Sequence, residues 1–428
     1  MKLKYGLDDR PPSLEMLAYG LQWLALTIPA LVIIGQVVAG VQFGNVHEQI
    51  VYLQKLCFIT GVLLIAQILW GHGMPLVIGP STVLLIGILA SQGSSLDSIY
   101  SAIFLGGLVL AVLAYSGLFS LVQGLFTPRV VVVILLLIAF TMAPTIMNLV
   151  IARDSSVPLI YNILFTLLAV SLLFAAEHHI KGVWKATLVL WAILLGSIFY
   201  YLIFPSSQQG LNAVNTPYLA PFWNDFSFNL VVDPGVLLSF LLCFLALSIN
   251  DLGSIQSLSS FLQADRIEKR TRRGMGLTGL GNMLSGWMGV IGPVNFSMSP
   301  GVIAATLCAS RYPLLPAGMG LILISFSPWL MNYMGHIPQV IIGCILIYLM
   351  SIQIAASLVM LKEKEALLNF SSGIVIGFPL ILATLIAFMP GEVVGTLPSI
   401  LRPLIGNGFV MGVIMVMLLE HLLLKERA

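Results

Sequence analysis

The sequence predicts an all-α integral membrane protein of fourteen transmembrane segments, arranged as a seven-plus-seven inverted repeat. Three observations carry that expectation. Of 428 residues, 59% are hydrophobic and only 8% are charged, with a mean hydropathy of +1.03; a soluble globular domain carries about 25% charged residues. Apolar runs near the ~20 residues of a spanning helix recur along the whole chain. Two of those runs, the third and the tenth, are broken by Gly, Pro and hydroxyl residues at the same ordinal place in each half.

The runs lie near 14–40, 48–70, 74–92, 98–122, 128–152, 157–176 and 184–204, then near 234–262, 272–291, 294–310, 314–334, 338–360, 371–389 and 400–424. The first follows a short polar stretch, 1–12, and is too long for the apolar region of a cleavable signal peptide. A polar loop, 205–233, separates two halves of similar length. Because each half holds an odd number of spans, the second enters the membrane from the opposite side, the inverted arrangement of secondary transporters.

Charge tests the threading. With the N-terminus inside, Lys2, Lys4, Arg10, Arg129, Lys181, Lys185, Arg266, Lys269, Arg270, Arg272, Arg273, Arg311, Lys362, Lys364, Lys425 and Arg427 face inward. Only Arg153 and Arg402 face outward, with Lys55 near the outer end of the second run. That asymmetry predicts cytoplasmic termini in a bacterial-type inner membrane. A formal net charge of +2 and the lack of any Lys/Arg tract interleaved with aromatics argue against a nucleic-acid partner. Cys57, Cys243, Cys308 and Cys344 sit singly in apolar runs, so neither a disulfide nor a metal site is expected. Gly274–Gly279 matches GxGxxG, but no strand precedes it, and a dinucleotide site is rejected. Gly281, Ser285 and Gly289 are read instead as a small-residue stripe for close helix packing. The six histidines (47, 72, 178, 179, 336 and 421) fall at span ends or loops, which offers no obvious proton relay.

The breaks point to function. Residues 292–311 read GPVNFSMSPGVIAATLCASR, in which Asn295, Ser297 and Ser299 meet Pro300 before a short apolar run. The counterpart, 71–83, reads GHGMPLVIGPSTV, with Pro80 in the same role. Unpaired backbone groups cost several kcal/mol in hydrocarbon, so non-helical backbone at membrane depth is confined to protein-buried or cavity-lining positions. Transporters place substrates there, at the N–H ends of half-helices.

Tyr5-Gly6-Leu7-Asp8-Asp9-Arg10-Pro11-Pro12, then Gly20-Leu21-Gln22, resembles the start of a member of the nucleobase–ascorbate (nucleobase:cation symporter-2, xanthine/uracil permease) family. Gly281-Asn-Met-Leu-Ser-Gly286, Gly301-Val-Ile-Ala-Ala-Thr306 and Ala309-Ser310-Arg311 fit the family pattern, and Leu401–Gly408 is similar to a bacterial purine-permease branch. The resemblance implies core segments 13–122 and 234–334, gate segments 128–204 and 338–424, and an elevator-like cycle. It also implies a nucleobase substrate (purine, xanthine or uracil type), symport with a proton or sodium as the coupling ion, no further cofactor, and a homodimer through the gate domain. The family's eighth-span Glu-x-x-Gly-His/Asp pattern falls on Asn250, Gly253 and Ser254 here, and its tenth-span signature falls on Met298, Ser299 and Leu307. Its first-span Gln-His pair is Gln22-Trp23.

The residues themselves give the candidates. Asp251 is the only carboxylate well inside a run, at a cost on the order of 2.5–3.5 kcal/mol for insertion, and is assigned to proton coupling; the competing role is a structural Asp paired with a neighbouring hydroxyl. Asn250 and Ser254, four apart, share a helical face as substrate contacts, with an interhelical polar contact as the alternative. Ser297, Met298 and Ser299 flank the second break; an extended segment would turn Ser297 and Ser299 one way and Met298 the other. Gln22, Ser81 and Thr82 complete the candidate set, the last two first as hydroxyl caps of a half-helix and second as ligand contacts. An anion transporter of the related sulfate/bicarbonate fold is the main alternative, disfavoured because no Lys or Arg falls at the site. An intramembrane enzyme would need a nucleophile–base or metal constellation that the sequence does not supply.

Overall fold

In the computed structural model, residues 3–119, 124–152, 157–205, 216–223, 228–363, 369–398 and 401–424 are described. Lys2, Arg153, Lys364, Lys425 and Arg427 of the charge argument, and much of the 205–233 loop, lie outside them. Apolar sequence and well-placed caps make long helices. They are α1 (Ser13–Gln42), α2 (Val46–Leu69), α4 (Leu96–Ser116), α5 with α6 (Pro128–Thr141 and Ala143–Ile151), α7 (Leu159–His179), α9 (Pro234–Leu262), α14 (Gln339–Glu363) and α15 (Phe370–Ala387). At the start of α9, for example, Asp233 Oδ1 accepts from the N–H groups of Gly235 and Val236 at 2.8 and 3.0 Å, and Pro234 occupies the first turn.

Among the described residues, eight helices, counting α5 and α6 as one, are long and apolar enough to cross a membrane unbroken. The predicted 314–334 span is instead a pair, α12 (Leu314–Ser325) and α13 (Pro328–Gly335), bent by 89°. The bend follows from Pro328, which opens α13 with the Ser327 hydroxyl accepting from Leu330 N–H. Elsewhere α8 (Leu188–Ile203) and α16 (Gly408–Leu418, continued by a π turn through Leu423) are short, and α10 (Ile267–Trp287) begins inside the basic loop. The third and tenth runs are not helices throughout. Each is a short strand followed by a half-helix: β1 (Val77–Pro80) leads into α3 (Thr82–Ala90), and β2 (Pro293–Phe296) leads towards α11 (Ser299–Thr306). Among the described residues the fold is thus helical with this two-stranded ladder as its one sheet.

Helix packing falls mainly into two groups. In one, α4 lies along α10, α12 along α1 and α2, and α9 against α3, α4 and α10; in the other, α14, α15 and α16 pack on α5, α6 and α7. Contact between α4 and α10 is backbone to backbone. A Cβ on Gly107 would meet Met283 N at 2.6 Å, and one on Gly286 would meet Phe104 N at 2.5 Å. Of the stripe read from sequence, Gly281 packs on Leu63 of α2 rather than on α4, and a Cβ on Gly289 would only graze Tyr100; Gly279 and Gly286 make the close approach. The GxGxxG run is helical, in the middle of α10, as its rejection as a nucleotide loop requires. All four cysteines are buried and free.

The N-terminal motif has a structural role. Tyr5 forms a parallel bridge with Cys308. Lys4 N–H donates to Leu307 O at 2.8 Å, Ala309 N–H to Tyr5 O at 2.9 Å, and the Ser310 hydroxyl to Asp9 O at 2.6 Å. Asp8 pairs with Arg311 at 2.8 Å. Two stretches that resemble the family, 5–12 and 309–311, are therefore partners.

Candidate substrate site at the crossing of two broken segments

The two strands cross as an antiparallel pair in the register Val77↔Phe296, Ile78↔Asn295, Gly79↔Val294 and Pro80↔Pro293. Pairing satisfies the main-chain groups that the broken helices leave open, which is why two breaks meet rather than one standing alone. Each half-helix follows its own strand, and because the strands run antiparallel the two start from opposite ends of the ladder. Beside β1 stands α1: a Cβ on Gly79 would sit 3.6 Å from the Ala30 methyl. Gln22 is two helical turns from Ala30, roughly 12 Å along the axis. Its Nε2 is buried and makes no hydrogen bond among the described residues, and Trp23, at the position of the family's His, is buried.

Asn295 is the hub. Its backbone N–H and its Nδ2 both donate to Asp251 Oδ1, at 3.1 and 2.7 Å, and Nδ2 also lies 3.4 Å from the Thr278 hydroxyl. Its carbonyl accepts from the Ser254 hydroxyl at 2.9 Å, and its Oδ1 lies 3.2 Å from His72 Nε2. One residue thus fastens β2 to α9, α10 and the turn after α2. Gln67 adds to the cluster, donating to Gly274 O at 2.8 Å and Thr278 Oγ1 at 3.2 Å. Asn282 donates to Pro293 O at 2.9 Å. All of these side chains are buried, Asp251 completely, and among the described residues Asp251 Oδ2 has no hydrogen-bond partner. The sequence singled out Asp251 and Ser254 here. His72, Gln67, Thr278 and Asn282 were missed as members. His72 does lie in a loop, as expected, but the loop is folded into the protein.

The remaining candidates divide. Ser81 is buried and caps α3, its hydroxyl accepting from Leu84 N–H at 3.4 Å, while its own N–H donates to Gly292 O at 2.9 Å; Thr82 is half-buried beside it. Ser299 is fully buried, and its hydroxyl accepts from Val77 N–H at 3.1 Å, binding one break to the other. Ser297 and Met298 form a turn, with Met298 at φ −76°, ψ −15°, so the expected strand-like alternation ends at Phe296. Both are exposed, whereas Ser299 is not. No side chain caps α11; in its first turn Pro300 carries no N–H and Gly301 N–H donates to Met298 O at 3.2 Å, which leaves at most the N–H groups of Met298 and Ser299 available there.

Opposite lies α9. Asn250 is half-buried, and its side-chain amide makes no hydrogen bond among the described residues. Gly253, Gln256, Ser257 and Ser260 continue from it along the same side and are exposed. This spacing puts them on one face of a helix. A polar, exposed face on a helix long enough to span the bilayer belongs against water or a polar ligand, not hydrocarbon. A Cβ added at Gly253, or at Gly301 in α11, would meet nothing within 4 Å. Gln256, Ser257 and Ser260 were legible by their spacing from Asn250 and were passed over. Arg270 and Arg311, the cations nearest the turn at His72, are committed elsewhere. Arg270 donates to the carbonyls of His72 and Gly73 at 2.9 and 3.3 Å and pairs with Asp265; Arg311 pairs with Asp8. Among the described residues no His/Cys/Asp/Glu cluster could hold a metal ion.

Known proteins share this design. A solved structure of the transmembrane domain of a cyanobacterium bicarbonate transporter, BicA, superposes with a TM-score of 0.61 over 90% of this chain and 98% of that one, at 14% identity; it shows a common fold. Nucleobase-ascorbate transporter 11 of Arabidopsis thaliana is 26% identical over 89% of the chain, which spans 60% of that protein's length. The nucleobase transporter PlUacP of Paenibacillus larvae is 22% identical over 95% of this chain and 94% of its own. A family model described as "Permease family", for xanthine/uracil permeases, matches residues 14–392. The chain belongs to that permease family and is a multi-pass membrane transporter, not an enzyme.

Proposed function

We propose that this permease carries a nucleobase of the purine, xanthine or uracil type, by proton-coupled symport. The observation that carries the reading is an α11 N-terminus without a side-chain cap, beside exposed Ser297 and Met298, packed against α9, the helix that carries the free amide of Asn250. A planar base offers amide-like donors and acceptors around its rim and two apolar faces. Main-chain N–H groups of α11 and the Asn250 amide match the rim, and the Met298 thioether packs on a face. Relatives named as nucleobase transporters point the same way. Asp251 serves as the proton carrier because it is a buried carboxylate with one oxygen unused and no cation bonded to it. Sulfate or bicarbonate, the alternative suggested by the shared fold, is disfavoured: the arginines near the crossing are spent on carbonyls and carboxylates of the protein itself.

The two packing groups are assigned as core and gate, the core carrying the crossing past the gate in an elevator-like cycle, with both termini on the cytoplasmic side. Uptake of a panel of radiolabelled bases, sulfate and bicarbonate into cells making the protein is the direct trial. Saturable uptake of a base that is lost in Met298→Trp at unchanged protein level is the expected outcome. Uptake of an anion alone would overturn the substrate class, and undiminished base accumulation across an imposed pH gradient by Asp251→Asn would remove the proton from its assigned residue, leaving sodium-coupled or uncoupled transport.

A further inference from the structure

The turn after α2 holds a second group that the transport reading does not use. His72 is fully buried, with Gly274 of α10 close enough that a Cβ there would lie 3.1 Å from the His72 Cβ. Both ring nitrogens are engaged. Nδ1 faces Met74 N–H at 3.0 Å, and Nε2 faces Asn295 Oδ1 at 3.2 Å. A backbone N–H has no choice but to donate. Nδ1 must therefore be the accepting nitrogen, which puts the ring proton on Nε2. Nε2–H then donates to Asn295 Oδ1, and the Asn295 amide is held with its Nδ2 towards Asp251 Oδ1, 2.7 Å away. The Met74 N–H fixes the imidazole at one end of this chain, and at the other the Asn295 main-chain N–H, which can only donate, fixes Asp251 Oδ1 as an acceptor.

We propose that His72 is a positioning residue for coupling: a neutral imidazole that holds the Asn295 amide with Nδ2 on Asp251 Oδ1, so that Oδ1 keeps its side-chain donor as well as its main-chain one and the coupling proton binds and leaves at Oδ2. The proposal rests on the reading of Asp251 as the proton carrier. Two N–H groups of Asn295 already occupy Oδ1, whereas Oδ2 is buried without a partner. A proton placed on Oδ1 would face those donors, and the amide could turn to receive it only if His72 presented a bare Nε2. That tautomer would set Nδ1–H against the Met74 N–H. An imidazolium would do the same. The charged groups around the ring act in the same sense. Arg270 of α10 donates to the His72 carbonyl, and Arg311 reaches Ile68 O one turn away, so two cations face the turn; Asp251 of α9 is separated from the ring by the Asn295 amide. Gln67 Oε1 receives the His72 N–H at 3.4 Å and bears no charge.

Two substitutions split the ring into its halves. His72→Gln keeps an N–H group at the reach of Nε2 and gives up the acceptor close to the backbone; His72→Asn keeps that acceptor and cannot reach Asn295. A positioning role predicts that His72→Gln retains the pH dependence of base accumulation and that His72→Asn loses it, with accumulation across an imposed pH gradient lowered about tenfold, the scale of one lost hydrogen bond to a buried group. Exchange of base without a gradient and the amount of folded protein, measured on the same preparations, separate a lost coupling from a lost fold. A purely structural turn predicts the reverse, with His72→Asn normal and His72→Gln poorly folded. Nitrogen-15 NMR of histidine-labelled protein, with His72→Gln to assign the signal, reads the same question without any substrate. The Nε2–H tautomer should persist from about pH 5 to about pH 8. An Nδ1–H ring or an imidazolium in that range would overturn the proposal even if transport proved to be of some other solute, and a correct tautomer in a protein that moves no base would fault the transport reading instead.

Discussion

The two breaks are built alike and used differently. In the first, every residue of β1 is buried, Ser81 caps α3, and α3 runs from Val83 to Ile88 without exposure. In the second, β2 is buried through Asn295, but Ser297, Met298 and Gly301 are exposed and α11 has no side-chain cap. A capped half-helix enclosed by protein is scaffold; an uncapped one beside open space is a place for a ligand. The difference shows that a pair of sequence breaks marks a site without saying which break faces the cargo. Here the first holds the second in place, through Val77 N–H on Ser299 and Ile78 opposite Asn295.

The sharpest way to break the comparison is to remove the hub. Asn295→Leu would strip Asp251 Oδ1 of its side-chain donor, His72 of its acceptor and Thr278 of a neighbour at once. Leaving a buried carboxyl with reduced compensation costs on the order of 3–5 kcal/mol. Loss of folded protein in detergent, read by size-exclusion profile and thermal melting, is expected, while Ile78→Val on the partner strand should cost only about 0.5–1.5 kcal/mol. Equal effects of the two would mean that the ladder, not the polar cluster, holds the crossing.

Serines at the two half-helices come next. Ser299→Ala leaves the Val77 N–H buried without an acceptor, a loss of about 1–3 kcal/mol. Ser81→Ala removes a cap, typically ~1 kcal/mol. Ser299→Ala should therefore melt lower than Ser81→Ala, although sequence alone read Ser81 first as the cap and Ser299 as a substrate contact. For the same reason a bulky residue at Ser299 is a poor probe of the pocket, and Met298→Trp, on the exposed turn, is the better one. If Met298→Trp transports normally, the ligand does not meet α11 there.

The parts of this design that repeat locally were legible. Pro80 and Pro300 mark backbone that cannot continue a helix, and both breaks fall where the apolar runs placed them. Asp251 stood out because a lone carboxylate in an apolar run has no local explanation. What escaped was pairing over distance. Nothing near Asn295 in sequence points to His72, 223 residues away, or to Thr278, and no periodicity relates them. Turn chemistry escaped too: strand-like alternation was extended through Ser297 and Met298, where Pro300 two residues on favours a tight entry to the helix. The sharp bend before Pro328 was hidden because hydropathy stays high across it. The Asn250, Gly253, Ser257 and Ser260 face, by contrast, needed only a helical count.

The smallest effect sharpens the comparison most cleanly, because it changes a single methyl in each half-helix. In α3, a Cβ on Gly87 would meet Cys243 Sγ at 3.2 Å and the Phe240 ring at 3.2 Å, so α9 must give way by a few tenths of an ångström. In α11, a Cβ on Gly301 meets nothing within 4 Å. Glycine in a helix is roughly 1 kcal/mol less favourable than alanine when nothing else intervenes. Gly301→Ala should therefore raise the melting temperature slightly, whereas Gly87→Ala should offset that gain by crowding against Phe240 and come out neutral or lower. Transport should respond in the opposite order. The methyl at Gly301 narrows the space beside Met298 and is expected to raise KM for the base several-fold, and the one at Gly87 faces only protein and should leave KM unchanged. A Gly301→Ala protein that is more stable and equally avid would place the ligand away from α11.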